Sequence, residues 1–68
     1  MNTRNTPAAT VGDTIRIITM DDNNGKDTQA KAYNGRTGTV THIDSIGQIH
    51  GTWGGLAVIP GKDTFEIL

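Results

Sequence analysis

The stretch Thr41–His50, THIDSIGQIH, holds both histidines of the chain with an aspartate between them. If a hairpin centres on Ile46, Ile43 faces Ile49 and His42 faces His50, with cross-strand Cβ atoms ~4.5–5.5 Å apart. Two imidazoles so placed, with Asp44 beside them, are the ingredients of a three-ligand metal site. The register is an assumption, and a slip of one residue sends the two rings to opposite faces. A structural pair or a coincidence of the surface is the plainer reading, so no metal is expected.

Three other residue sets invite chemistry. Lys26, Lys31 and Arg36 lie on or beside one polar segment that ends at Tyr33, and together they could grip a phosphate or a partner surface. Asp21, Asp22 and Asp27 share that segment and partly cancel the charge. Tyr33, Trp53 and Phe65 are the only aromatics. Exposed rings can clamp peptides or stack on bases. Trp53 has the strand parity of Ile49 and Phe65 alternates with Glu66, so both are expected in the core. Tyr33 is the ring expected at a contact surface. The run Asp21-Asp22-Asn23-Asn24-Gly25 lacks the alternating oxygen ligands and the distal glutamate of a calcium loop.

No catalytic set emerges. Ser45 is the only serine and Glu66 the only glutamate. A Ser45–His50–Asp44 triad can be drawn, but its members crowd one hairpin with nothing to form an oxyanion hole. The chain is read as non-catalytic and without a cofactor.

Bulk properties narrow the classes further. Sixty-eight residues make one domain with a small core and little room for a deep cleft. There is no cysteine, which removes disulfides, thiolate metal sites and thiol nucleophiles. A net charge of −1 argues against binding that rests on phosphate neutralisation. The longest apolar run, Leu56–Ile59, is far too short to span a bilayer. The first residues lack the apolar stretch of a signal peptide, so the cytoplasm is the expected location.

The elements that would hold these residues read as strands. Ile, Val and Thr make up 22 of the 68 residues and Leu only two. β-branched side chains favour pleated sheet over helix. Residues 1–10 show no period and read as a disordered tail. Asp13–Met20 is a first strand, with Ile15 and Ile17 on one face. Ile18 and Met20 break the alternation, as a bulge or bend would. Residues 21–34 read as a flexible loop, within which Asp27–Tyr33 could form one helical turn capped by Asp27 or Thr28. Thr37–Ile43, Gln48–Trp53, Leu56–Ile59 and Thr64–Leu68 complete the set. The intervening turns fall at Asp44–Gly47, Gly54-Gly55 and Pro60–Asp63. The expected core is Ile15, Ile17, Val40, Ile43, Ile49, Trp53, Leu56, Val58, Phe65 and Ile67.

Over residues 11–68 the pattern resembles a small bacterial and phage-associated family, domain of unknown function forty-three-fourteen. The residues that carry the resemblance are the "G-x-V" strand at Gly38–Val40, the "ID-x-x-G-x-IH" hairpin at Ile43–His50, the tryptophan with its glycine turn and leucine, and the closing DTFEIL. The resemblance implies an SH3-like β-barrel, related in shape to KOW-type modules, and implies no activity. The family pattern favours an acidic residue or Asn after the tryptophan, where this chain has Gly54.

The expectation is an all-β domain: a five-stranded SH3-like barrel over 11–68 behind a tail at 1–10. Its expected role is a binding module for a protein partner, as a monomer or weak homodimer. Contact is expected through Tyr33, Lys26, Lys31, Arg36, His42 and His50. A KOW-like nucleic-acid-binding barrel is the alternative.

Overall fold

A computed structural model describes residues 8–68. Five antiparallel strands run β1 (Thr14–Thr19), β2 (Thr37–Ile43), β3 (Ile49–Gly51), β4 (Gly54–Val58) and β5 (Thr64–Ile67). One short helix, α1 (Thr28–Ala32), interrupts them between β1 and β2. The sheet order is β4-β3-β2-β1-β5. β1 therefore lies between β2 and the distant β5, with Ile15 paired to Ile67 and Ile17 to Phe65. Residues from all five strands bury into a single cluster, so the strip coils around one core. This is the all-β, barrel-like architecture expected from the sequence. β4 and β5 are its two edges, joined by the turn that includes the Pro60–Asp63 bridge.

The break in β1 is a register shift between Ile17 and Thr19. It leaves Ile18 and Thr19 exposed and turns Met20 inward, where it is 3% accessible. A strict alternation would have left Met20 outside the core.

Asp27 caps α1 by accepting the Ala30 amide on its side chain. Such a cap satisfies one of the donors that a helix start leaves unpaired. A helix this short does not persist alone. It is held by burying Ala30 and Tyr33 in the core and by Asn34 Oδ1, which accepts the Met20 amide at 2.8 Å.

Seven of the expected core residues are buried: Ile15, Ile17, Val40, Ile49, Trp53, Val58 and Phe65. Leu56 packs against them partly buried. Ile43 and Ile67 stay 38% exposed, because each ends a strand that runs past the covered part of the sheet. Met20, Ala30 and Tyr33 take their places.

The β3–β4 turn also differs from expectation. It is formed by Thr52-Trp53, while Gly54 and Gly55 already belong to β4. Trp53 anchors it: the indole is buried and its Nε1 donates to Leu56 O at 2.8 Å. Gly54 then takes φ +140°, a conformation that L side chains rarely adopt.

Of the expected tail at 1–10, residues 1–7 lie outside the described residues. Ala9 packs against the core, and Thr10 donates both its amide and its hydroxyl to Asp13 Oδ2.

Candidate functional site

The β2–β3 hairpin places the histidines as the spacing suggests. His42 pairs with His50 and Ile43 with Ile49. The two rings stack with centroids 4.3 Å apart and planes 3° from parallel. Asp44 organises the turn below them. Its Oδ1 accepts the amides of Ile46 at 3.1 Å and Gln48 at 2.9 Å. Its Oδ2 lies 2.9 Å from His50 Nε2. The His50 contact, followed by the Gln48 amide, holds the Asp44 carboxyl below its ordinary value. Lone pairs of imidazole lie in the ring plane, so two parallel stacked rings do not converge on one ion. Among the described residues no group of three or more His, Asp or Glu side chains has the spacing to hold a metal. The arrangement is a turn clamp.

Of the set around Tyr33, the structure brings Arg36 onto the ring, and the ring itself faces inward. Tyr33 is 6% accessible, so it is a core residue and not the exposed contact expected of it. The Arg36 guanidinium carbon lies 4.2 Å from the Tyr33 ring centroid. Arg36 Nη1 donates to Trp53 O at 2.8 Å. Arg36 thus uses one donor and its planar face to close the start of β2 onto the β3–β4 turn, while the residue as a whole stays exposed. Lys26, just before α1, and Lys31, in its last turn, are both exposed.

The feature that sequence reasoning missed is a half-open cavity of about 180 Å³. It lies between the segment that enters α1 and the β4–β5 turn. Met20, Ala30, Leu56, Ala57 and Ile59 supply apolar wall. Asp21, Asp27, Asp63 and Lys62 supply the polar part. Asp63 is the one buried charged side chain among the described residues. Its Oδ1 accepts the Asp21 amide at 2.8 Å and its Oδ2 the Ile59 amide at 2.7 Å. It ties the loop after β1 to the end of β4 and so fixes two walls of the cavity. Lys62 Nζ approaches Asp21 Oδ2 at 3.8 Å across the opening. The residues that meet here lie about forty positions apart in sequence, as the Asp21–Asp63 bond shows. The only local signal was the match of an acidic loop with a turn ending in Lys-Asp.

A family model, "Domain of unknown function (DUF4314)", matches residues 7–68. The chain belongs to that family. No curated protein and no solved structure matches it. Within this DUF4314 chain, Gly54 sits where there is no room for a side chain. A Cβ built there would meet the Tyr33 hydroxyl and ring. The space beside Gly54 is filled by the tyrosine.

Proposed function

We propose that this DUF4314 domain is a non-catalytic binding module of the cytoplasm that recognises another polypeptide through the cavity between the α1 segment and the β4–β5 turn. The observation that carries this reading is the cavity itself. It is concave and partly apolar, and it adjoins β4, an edge strand of the sheet. Pockets beside strand edges suit extended peptides, whose backbone follows the edge while a side chain enters the pocket. The charge balance supports a protein partner over a nucleic acid. The net charge is −1, and the one cationic side chain at the cavity faces three carboxylates. Arg36, needed for a phosphate grip, is engaged with Tyr33 and Trp53.

The test is position-dependent capture in the native host. A photo-crosslinking residue in place of Lys62, at the rim, should trap a discrete protein. The same residue in place of Ile46, exposed on the β2–β3 turn, should not. Titration with DNA and RNA at low salt is the counter-test. Amide shifts that vanish steeply as salt rises would overturn the reading in favour of a nucleic-acid-binding barrel.

A further inference from the structure

The geometry points to a basic side chain as the group that enters this cavity: the ammonium of a lysine on the partner polypeptide, carried on its apolar stem. The inference deepens the reading above and rests on it.

The walls are divided in a way that fits one kind of occupant. Leu56 and Ala57 from β4, Ala30 from α1 and Met20 from the end of β1 form the apolar side. Three carboxylates, Asp21, Asp27 and Asp63, line the same space against the single cation Lys62. The lining therefore carries an excess of negative charge within a small, half-open volume. A free carboxylate or phosphate would meet that charge unfavourably. A purely aliphatic group would leave the carboxylates without a counter-charge. A lysine side chain satisfies both parts, because its methylenes cover apolar wall while its ammonium stays near water.

The chain already supplies a stand-in for that occupant. Lys62 Nζ sits 3.8 Å from Asp21 Oδ2, beyond hydrogen-bonding distance, on a side chain that is 64% exposed. Lys62 thus covers the mouth loosely without filling it. An incoming ammonium would take over Asp21 and displace Lys62 into solvent. Asp63 contributes negative potential from a fixed position, since both its oxygens already accept backbone amides. Asp27 accepts the Ala30 amide on Oδ1 alone. Asp21 Oδ1 accepts the Asn23 amide, and its Oδ2, loosely faced by Lys62, is the oxygen at the mouth that an ammonium can take over.

The experiment uses the whole chain and three short peptides that differ in one side chain: acetyl-Ala-Lys-Ala-amide, its norleucine analogue and its glutamate analogue. The methyl signals of Met20, Ala30, Leu56 and Ala57 are followed by NMR during titration. The lysine peptide should shift these signals saturably, the norleucine peptide should bind more weakly, and the glutamate peptide should leave them unmoved. Asp21→Asn should weaken lysine binding about two- to fivefold, the range of a partly exposed ion pair, and Lys62→Gln should strengthen it by a similar factor. Both positions are exposed, so the fold should survive either change. Equal response to lysine and norleucine, or indifference to both substitutions, would overturn the inference. If crosslinking from position 62 still traps a protein in that case, the module reading stands and only the basic occupant falls. If crosslinking from position 62 traps nothing, the module reading falls as well.

Discussion

The Tyr33 hydroxyl accepts the Gly55 amide at 3.0 Å, and its ring fills the space that a side chain at Gly54 would need. One residue from the end of α1 thereby fixes the start of β4. Tyr33→Phe should cost ~0.5–1.5 kcal/mol, toward the low end because water can reach the exposed Gly55 amide. Tyr33→Ala should cost ~3–5 kcal/mol, as for other buried aromatic rings. Gly54→Asn should cost ~1–3 kcal/mol by overpacking. Combining it with Tyr33→Ala should relieve part of that penalty, because the two sites share one space. Denaturant unfolding of the four variants checks all of this, and strict additivity would contradict it.

Two glycines that look alike in sequence should behave differently. A Cβ at Gly51 would run into the Trp53 ring and Thr39 O, whereas one at Gly55 meets nothing within 4 Å. Gly51→Ala should destabilise by ~1–3 kcal/mol or more. Gly55→Ala should stay within ~0.5 kcal/mol. Thermal melts of the pair, with Trp53 fluorescence as a second readout, give the comparison. Loss of the native Trp53 emission is expected for Gly51→Ala alone.

Asp63 is buried and accepts two backbone amides from different parts of the chain. Asp63→Ala should cost ~2–3 kcal/mol, since hydrogen bonds to a charged group are the stronger kind and their loss strands two donors. Asp63→Asn keeps one acceptor and should cost less. Hydrogen exchange at Asp21 and Ile59 should quicken in both variants, and unchanged exchange would show that water replaces the carboxylate.

Asp44 gives the hairpin a dependence on acid. Its carboxyl is held below the ordinary value, first by His50 and then by the Gln48 amide. The folded state therefore binds that proton less readily than the unfolded chain. The stability it contributes is complete above the ordinary value of about 4 and drains away as pH falls through the lowered folded value. Asp44→Asn should lower the melting temperature at neutral pH and narrow its gap to the wild type between about pH 5 and pH 2. A gap that stays constant across that window would exclude Asp44 as the source.

Local grammar carried most of the architecture. The β2–β3 turn, the facing of His42 and His50, the irregularity in β1 and the Asp27 cap all follow from residues close together in sequence. Tyr33 was misread because its burial depends on a glycine some twenty positions away that leaves room for it. Gly38 and Gly51 lie in strands, as the spacing predicts, but the close approach of the Trp53 ring to both is a tertiary contact that no local pattern reports. The β3–β4 turn was misplaced because a paired glycine is a strong local signal, and here the anchored indole overrode it. The cavity was invisible for the same reason: its walls are brought together by the Asp63 bonds, which no period or composition reports.

The pairing of Ile15 with Ile67 has a kinetic consequence. β1 can complete its ladder only after the chain has returned from α1 and three further strands, so the contact that adds the last strand is among the most distant in sequence. Such contacts demand most of the loop-closure entropy before they repay it, which slows folding. Until β5 arrives, β1 offers an open edge carrying Ile15, Ile17 and Ile18 to any neighbouring chain. The Arg16–Glu66 ion pair, at 2.6 Å on the exposed face of those two strands, puts a charge on each side of that late seam. On a half-folded molecule the Arg16 charge would discourage the same edge from pairing with a second copy.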